Sequence, residues 1–119
     1  EGECADGTRA AVAQAVMDAD AYALSIYMTA SRLMAGGSIG AEASTNKIFW
    51  SELDRAMHRT AMQILGAHAE LKRYGNGQIT QWLEGYIFSL SGPIYAGSNE
   101  VQRNIIAERL LGLPRVGAG

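Results

Sequence analysis

Ser98, Asn99 and Glu100 are the residues of this 119-residue chain whose types and spacing best suit a chemical role. They open the run Ser98-Asn99-Glu100-Val101-Gln102-Arg103-Asn104-Ile105-Ile106-Ala107-Glu108-Arg109, and Pro93-Ile94-Tyr95-Ala96-Gly97 leads into it. A serine before such a run is a good N-cap, because its hydroxyl accepts from an unpaired first-turn N–H. Asn99 and Glu100 then stand where the positive end of the helix dipole favours acceptors and negative charge. A small-residue turn running into exposed helix amides is a ready site for an anion or a cofactor phosphate. An ordinary capped helix that binds only water has the same residues, so local physics leaves both readings open.

Other constellations carry less. His58 and His68 are ten residues apart and no Glu-x-x-His pair occurs, so no metal site is expected. Asp54 and His58 are four apart on a helical stretch, a spacing that suits a surface ion pair or hydrogen bond. Glu42, Glu52 and Glu84 are too widely spaced to form a recognisable catalytic pair. No nucleophile elbow, Gly-x-Gly-x-x-Gly or phosphate loop is present. Gln63, read by itself, is a polar residue near a helix C-terminus. Cys4 is the single cysteine, which excludes an internal disulfide and points to a reducing, cytoplasmic compartment.

The elements that must position these groups are helices. Val12, Val16, Tyr22, Ala23, Ile26, Tyr27, Ala30, Leu33 and Met34 recur at three- and four-residue steps, predicting a first helix over about Thr8–Ala35. Gly36-Gly37-Ser38-Ile39-Gly40 breaks it. A second helix is expected from about Ala41 to Leu65, with Phe49, Leu53, Ala56, Met57, Thr60 and Ile64 as its buried stripe and Trp50 facing another helix or subunit. Gly66–Gly77 reads as a connection. A third helix spans about Gln78–Ser89, although Gly85 within it costs roughly 1 kcal/mol relative to alanine. The terminal helix stops at Gly112, which suits a left-handed C′ position, and Pro114 forbids continuation. Short connections favour antiparallel packing, so the expected class is all-α, an antiparallel up-and-down bundle.

Bulk properties agree. Hydrophobic residues make up 48% and charged residues 18%, a globular composition sized for one domain. A formal net charge of -2 calls for neither nucleic acid nor an anionic membrane surface. No run of about 18 apolar residues suggests membrane insertion. Residues 1–7 read as a disordered start and 116–119 as a tail. The chain opens on Glu1, so it reads as a fragment or processed product.

The run from Ile94 to Arg109 closely resembles the C-terminal signature of acyl-CoA dehydrogenases, Ile-Tyr-x-Gly-(Thr/Ser)-Asn-Glu-(Ile/Val)-Gln-Arg-Asn-Ile-Ile-Ala-Glu-Arg. The resemblance extends from about Val12 to Arg115 and implies the last, helical-bundle domain of such an enzyme, over residues 8–115, without its first bundle helix. It implies an FAD-dependent oxidoreductase that removes the α and β hydrogens of an acyl-CoA thioester. Electron-transferring flavoprotein is the implied redox partner. The domain would complete the flavin and acyl-CoA sites, join the remaining domains of its parent and build a homo- or hetero-oligomer, dimer or tetramer. Alone it would be inactive.

Residue by residue, the resemblance places Gln63 and Gly66 on the family's Gln-x-x-Gly-Gly-x-Gly segment, which contacts FAD across a subunit interface. Ala67 and Ala69 stand where that segment has further glycines. Gly97, Ser98 and Glu100 fall on FAD-contacting positions, and Tyr95 on the substrate side. Ala96 takes the position of the usual catalytic glutamate, and a methyl group cannot accept the α-proton. Three explanations compete. The base comes from an earlier helix of the parent, the chain is the non-catalytic partner in a heteromer like those of steroid side-chain breakdown, or the parent acts on a different substrate or has lost activity. The rivals are a helical interaction module retaining the bundle as an assembly surface, and an oxidase relative.

Overall fold

The structure, a computed structural model, describes residues 6–70 and 78–115. These form four α-helices: α1 (Asp6–Met34), α2 (Glu42–Leu65), α3 (Gln78–Ser89) and α4 (Asn99–Arg109). The expected all-α class is the observed one. α1 begins two residues before the expected Thr8, and α3 has the expected bounds. The expected connection opens as a 3₁₀ turn over Gly66–Glu70. Its remainder (71–77), residues 1–5 with Cys4, and the tail 116–119 lie outside the described residues.

Contacts between elements establish the directions. Arg32 bonds Glu42, the rings of Tyr22 and Phe49 stack at 5.9 Å, and Val12 faces Ile64 and Leu65 across a shared groove. As one number falls the other rises, so α1 and α2 are antiparallel. His58 meets Trp82 and Gly85, while Ser51 meets Gly92 just past α3, which makes α2 and α3 antiparallel too. Among the described residues, α1 and α4 contact no other helix than α2. The bundle is open, and α2 is its axis.

What lies deepest is small and polar. Ser51 and Ser89 are fully buried, Ser44 and Asn99 nearly so, and Ala69 is the buried apolar residue among those described. The expected α2 stripe is therefore corrected. Phe49, Ala56, Met57 and Ile64 are exposed, with Leu53 and Thr60 half-buried. The period is right for a helix face, but Met57, Thr60 and Ile64 line an open apolar groove of ≈ 430 Å³ with Val12 and Val16 of α1 and Trp82 of α3. Small residues bring the helices together instead. A β-carbon at Gly85 would lie 2.8 Å from His58 Cδ2 and closer still to Nε2, so the glycine permits the α2–α3 crossing. Its helix-propensity cost has a packing return.

α1 is apolar around most of its circumference. Gln14, Asp18, Ser25 and Arg32 share one polar strip, whereas Met17, Leu24 and Met28 line the side away from α2 and are exposed. A helix hydrophobic on nearly all sides is built for burial by several neighbours.

Candidate functional site

The turn between α3 and α4 is a closed loop held at both ends. The Ile94 and Tyr95 N–H groups donate to the Ser91 carbonyl at 2.9 and 3.1 Å, and the Asn99 N–H donates to the Pro93 carbonyl at 2.8 Å. Inside it, Ala96 (φ 55°) and Gly97 (φ 85°) are both left-handed. A glycine adopts this freely, but an alanine does so at a cost. The Gln102 side-chain amide donates to the Ala96 carbonyl at 3.2 Å, and a β-carbon on Gly97 would lie 2.6 Å from that same nitrogen.

Ser98 caps α4 as its sequence position requires. Its backbone is extended, and its hydroxyl accepts from the Val101 N–H at 3.4 Å. Glu100 follows in the first turn. Its own backbone amide, then the Ser98 hydroxyl, hold its carboxyl below the ordinary carboxylate range, with Arg103 and Lys47 adding attraction. The first turn therefore presents an ionised acceptor to its surroundings. At the far end of α4, Gly112 takes φ 65° and the Leu113 N–H reaches back to the Ala107 carbonyl at 2.9 Å, the expected glycine stop.

Tyr95 stands in an aromatic group. Trp50 meets it edge-on at 5.9 Å and Phe88 lies at 6.3 Å. Trp50 thus faces the turn of its own chain, where another helix or subunit was expected. Ile94 and Phe88 are exposed beside it, giving the turn an apolar rim around the Ala96 methyl.

Asn99 has a role that local reading misses. It is only 3% exposed. Its Oδ1 accepts from Lys47 Nζ at 2.8 Å and lies 3.2 Å from Ser51 Oγ, and its Nδ2 faces Glu52 Oε1 at 3.5 Å. Arg103 completes the cluster by donating to Glu52 at 2.6 Å. Nothing in the first turn of α4 indicates partners about fifty residues upstream.

The expected site residues fall into two groups. Tyr95, Ala96, Gly97, Ser98 and Glu100 are together in the turn, against the N-terminal half of α2. Gln63 and Gly66 are at the other end of α2, about 18 Å along the axis from Ser51 at 1.5 Å per residue. Both are exposed there, Gly66 with φ 54° and its N–H on the Met62 carbonyl. One copy of the chain does not bring the two groups into contact. Asp54 and His58 pair as expected, with Nδ1 3.2 Å from Oδ1.

A family model described as acyl-CoA dehydrogenase, C-terminal domain, matches residues 5–111. The chain is 45% identical over 73 residues to the acyl-CoA dehydrogenase IpdE1 of Mycolicibacterium smegmatis, covering 60% of this chain and 18% of that protein. It is 40% identical over 76 residues to IpdE1 of Mycobacterium tuberculosis (64% and 19% covered) and 36% over 84 residues to the acyl-CoA dehydrogenase FadE26 of the same organism (66% and 20%). The chain therefore spans about a fifth of the length of the curated relatives it matches. No solved structure matches.

Proposed function

Because this chain belongs to the acyl-CoA dehydrogenase family, as its C-terminal domain, we propose that it forms one wall of an FAD and acyl-CoA site in a parent oxidoreductase. It also supplies a surface on which that enzyme assembles as a dimer or tetramer. The observation that carries this reading is the turn itself. A left-handed Ala96-Gly97 pair, a capped α4 and an exposed apolar rim meet at one place.

The residues fit the cofactor in a particular way. Glu100 already engages the positive end of α4, so this turn suits the hydroxyl and amino donors of the flavin nucleotide better than its phosphates. The exposed amide of Gln63 and the glycine backbone at Gly66 suit the pyrophosphate. Their separation from the turn favours two copies of the chain contributing to each flavin. When bound, FAD supplies the two-electron acceptor for α,β-dehydrogenation, and electron-transferring flavoprotein would reoxidise it. Tyr95, with Trp50 and Phe88 around it, lines the acyl side.

Ala96 supports a second reading, a non-catalytic subunit or helical interaction module, because the turn keeps its geometry while offering no proton acceptor. Otherwise the base comes from another helix of the parent. By itself the chain would not catalyse. The test is Gln63→Ala in the complete natural protein. Weakened FAD retention is expected, and unchanged retention refutes the cross-subunit assignment. Native mass spectrometry of the same protein reports bound FAD and any partner subunit.

A further inference from the structure

We propose that Asn99 is a positioning residue, the anchor that fixes the turn Pro93–Ser98 over α2 so that its left-handed segment faces the flavin. The proposal rests on the flavin reading above and adds to it a residue that would act without touching the cofactor.

Three observations carry it. Asn99 ties the turn in two directions at once: its backbone N–H closes the loop onto the Pro93 carbonyl at 2.8 Å, and its side chain bonds Lys47 and Ser51 of α2. Ser51 is the pivot beneath both ends of the loop. It is fully buried, and a β-carbon at Gly92 would be 3.4 Å from its Cβ, so the chain entering the loop runs close over the residue that Asn99 also meets. The amide is also matched by chemistry on each side. Cationic and hydroxyl donors surround Oδ1, and a carboxylate faces Nδ2. Rotating the amide would oppose Lys47 with a donor, so the orientation is determined.

Removing this amide would leave Lys47 without its acceptor and Ser51 with the Ile48 carbonyl alone, and free the loop to slide along α2. Ser98 would still cap its helix, because that bond is local to α4. The expected effect is thus a displaced turn on intact helices.

The experiment uses the complete natural protein with Asn99→Leu, which keeps the volume and loses the acceptor, and Asn99→Asp, which keeps the acceptor. FAD affinity and hydrogen exchange of the 94–98 amides are measured, with α1 amides as the control. Asn99→Leu should raise the FAD dissociation constant about tenfold, as expected when a buried polar partner is lost. It should also speed exchange in the turn alone. Asn99→Asp, made in a Glu52→Gln background so that two carboxylates do not face each other, should hold affinity to within about threefold of that background, because a carboxylate accepts from both donors. Should Asn99→Leu fail to fold, Lys47→Met tests the same bond from a less buried position and should shift both readouts the same way. A folded Asn99→Leu or Lys47→Met variant with wild-type affinity and wild-type turn exchange overturns the proposal. So does an Asn99→Asp, Glu52→Gln variant as impaired as Asn99→Leu, which would mark a packing role. A wild-type protein holding no FAD refutes the flavin reading instead, and the exchange data then decide the anchoring alone.

Discussion

At Ala96 the backbone adopts φ 55°, where a β-carbon costs about 1–2 kcal/mol relative to the right-handed region. The residue holds this left-handed geometry while offering a methyl group and no proton acceptor. Strain at such a position is retained only where the surroundings over-determine it, here through the Gln102 bond to its carbonyl and the closure onto Pro93. Ala96→Gly should raise stability by about 0.5–1 kcal/mol, the relieved strain exceeding the added chain entropy. Ala96→Val should lower it by more than that. Urea midpoints of the complete protein decide the matter, and a glycine variant less stable than wild type would show that the turn relaxes around the alanine.

Among the described elements, α2 contacts each of the other α-helices, and small residues let α3 and α4 approach it closely. Ser51 admits Gly92 and Asn99, and Gly85 admits His58, whose ring is edge-on to Trp82 at 5.9 Å. This close crossing gives a prediction at the same scale. Gly85→Ala should destabilise the protein by about 1–3 kcal/mol through overpacking, despite its better helix propensity. Adding His58→Ala removes the colliding ring, so the double variant should recover most of the loss. A double-mutant cycle measures that coupling, and additive effects would disprove the contact.

The whole molecule is more open than a self-contained domain of its size. Its radius of gyration is 18.2 Å, against roughly 13–14 Å for a compact chain of this length. Its accessible surface is 8681 Å², against roughly 6,200 Å² for a compact monomer of 12.7 kDa. The difference, on the order of 2,000 Å² or more, is what an obligate interface buries. Exposed apolar side chains lie on the outer side of α1, in the groove beside Met57 and Trp82, and on the rim at Phe88 and Ile94. Among the described residues no helix is long and apolar enough to cross a membrane. Expressed alone, the 119 residues should elute well above monomer size and bind a hydrophobic dye. A monodisperse, dye-silent monomer would contradict that view.

Local signals were enough to define the helices. The span of α3, the Ser98 cap and the Gly112 stop follow from periodicity, a hydroxyl and a glycine within a few residues of where they act. That position 96 carries a methyl group and no carboxylate was equally legible, since it is a residue identity. Burial was not, because periodicity shows which residues share a face and says nothing of what lies against it. Half of the α2 stripe, Met57, Thr60 and Ile64, accordingly proved to line an open groove. Nor could sequence show that Asn99 is buried on Lys47 and Ser51, that Gly85 receives His58, or that the turn sits against the half of α2 away from Gln63. Those facts depend on chain segments distant in sequence being brought together, and only the packing of α3 and α4 on α2 does that.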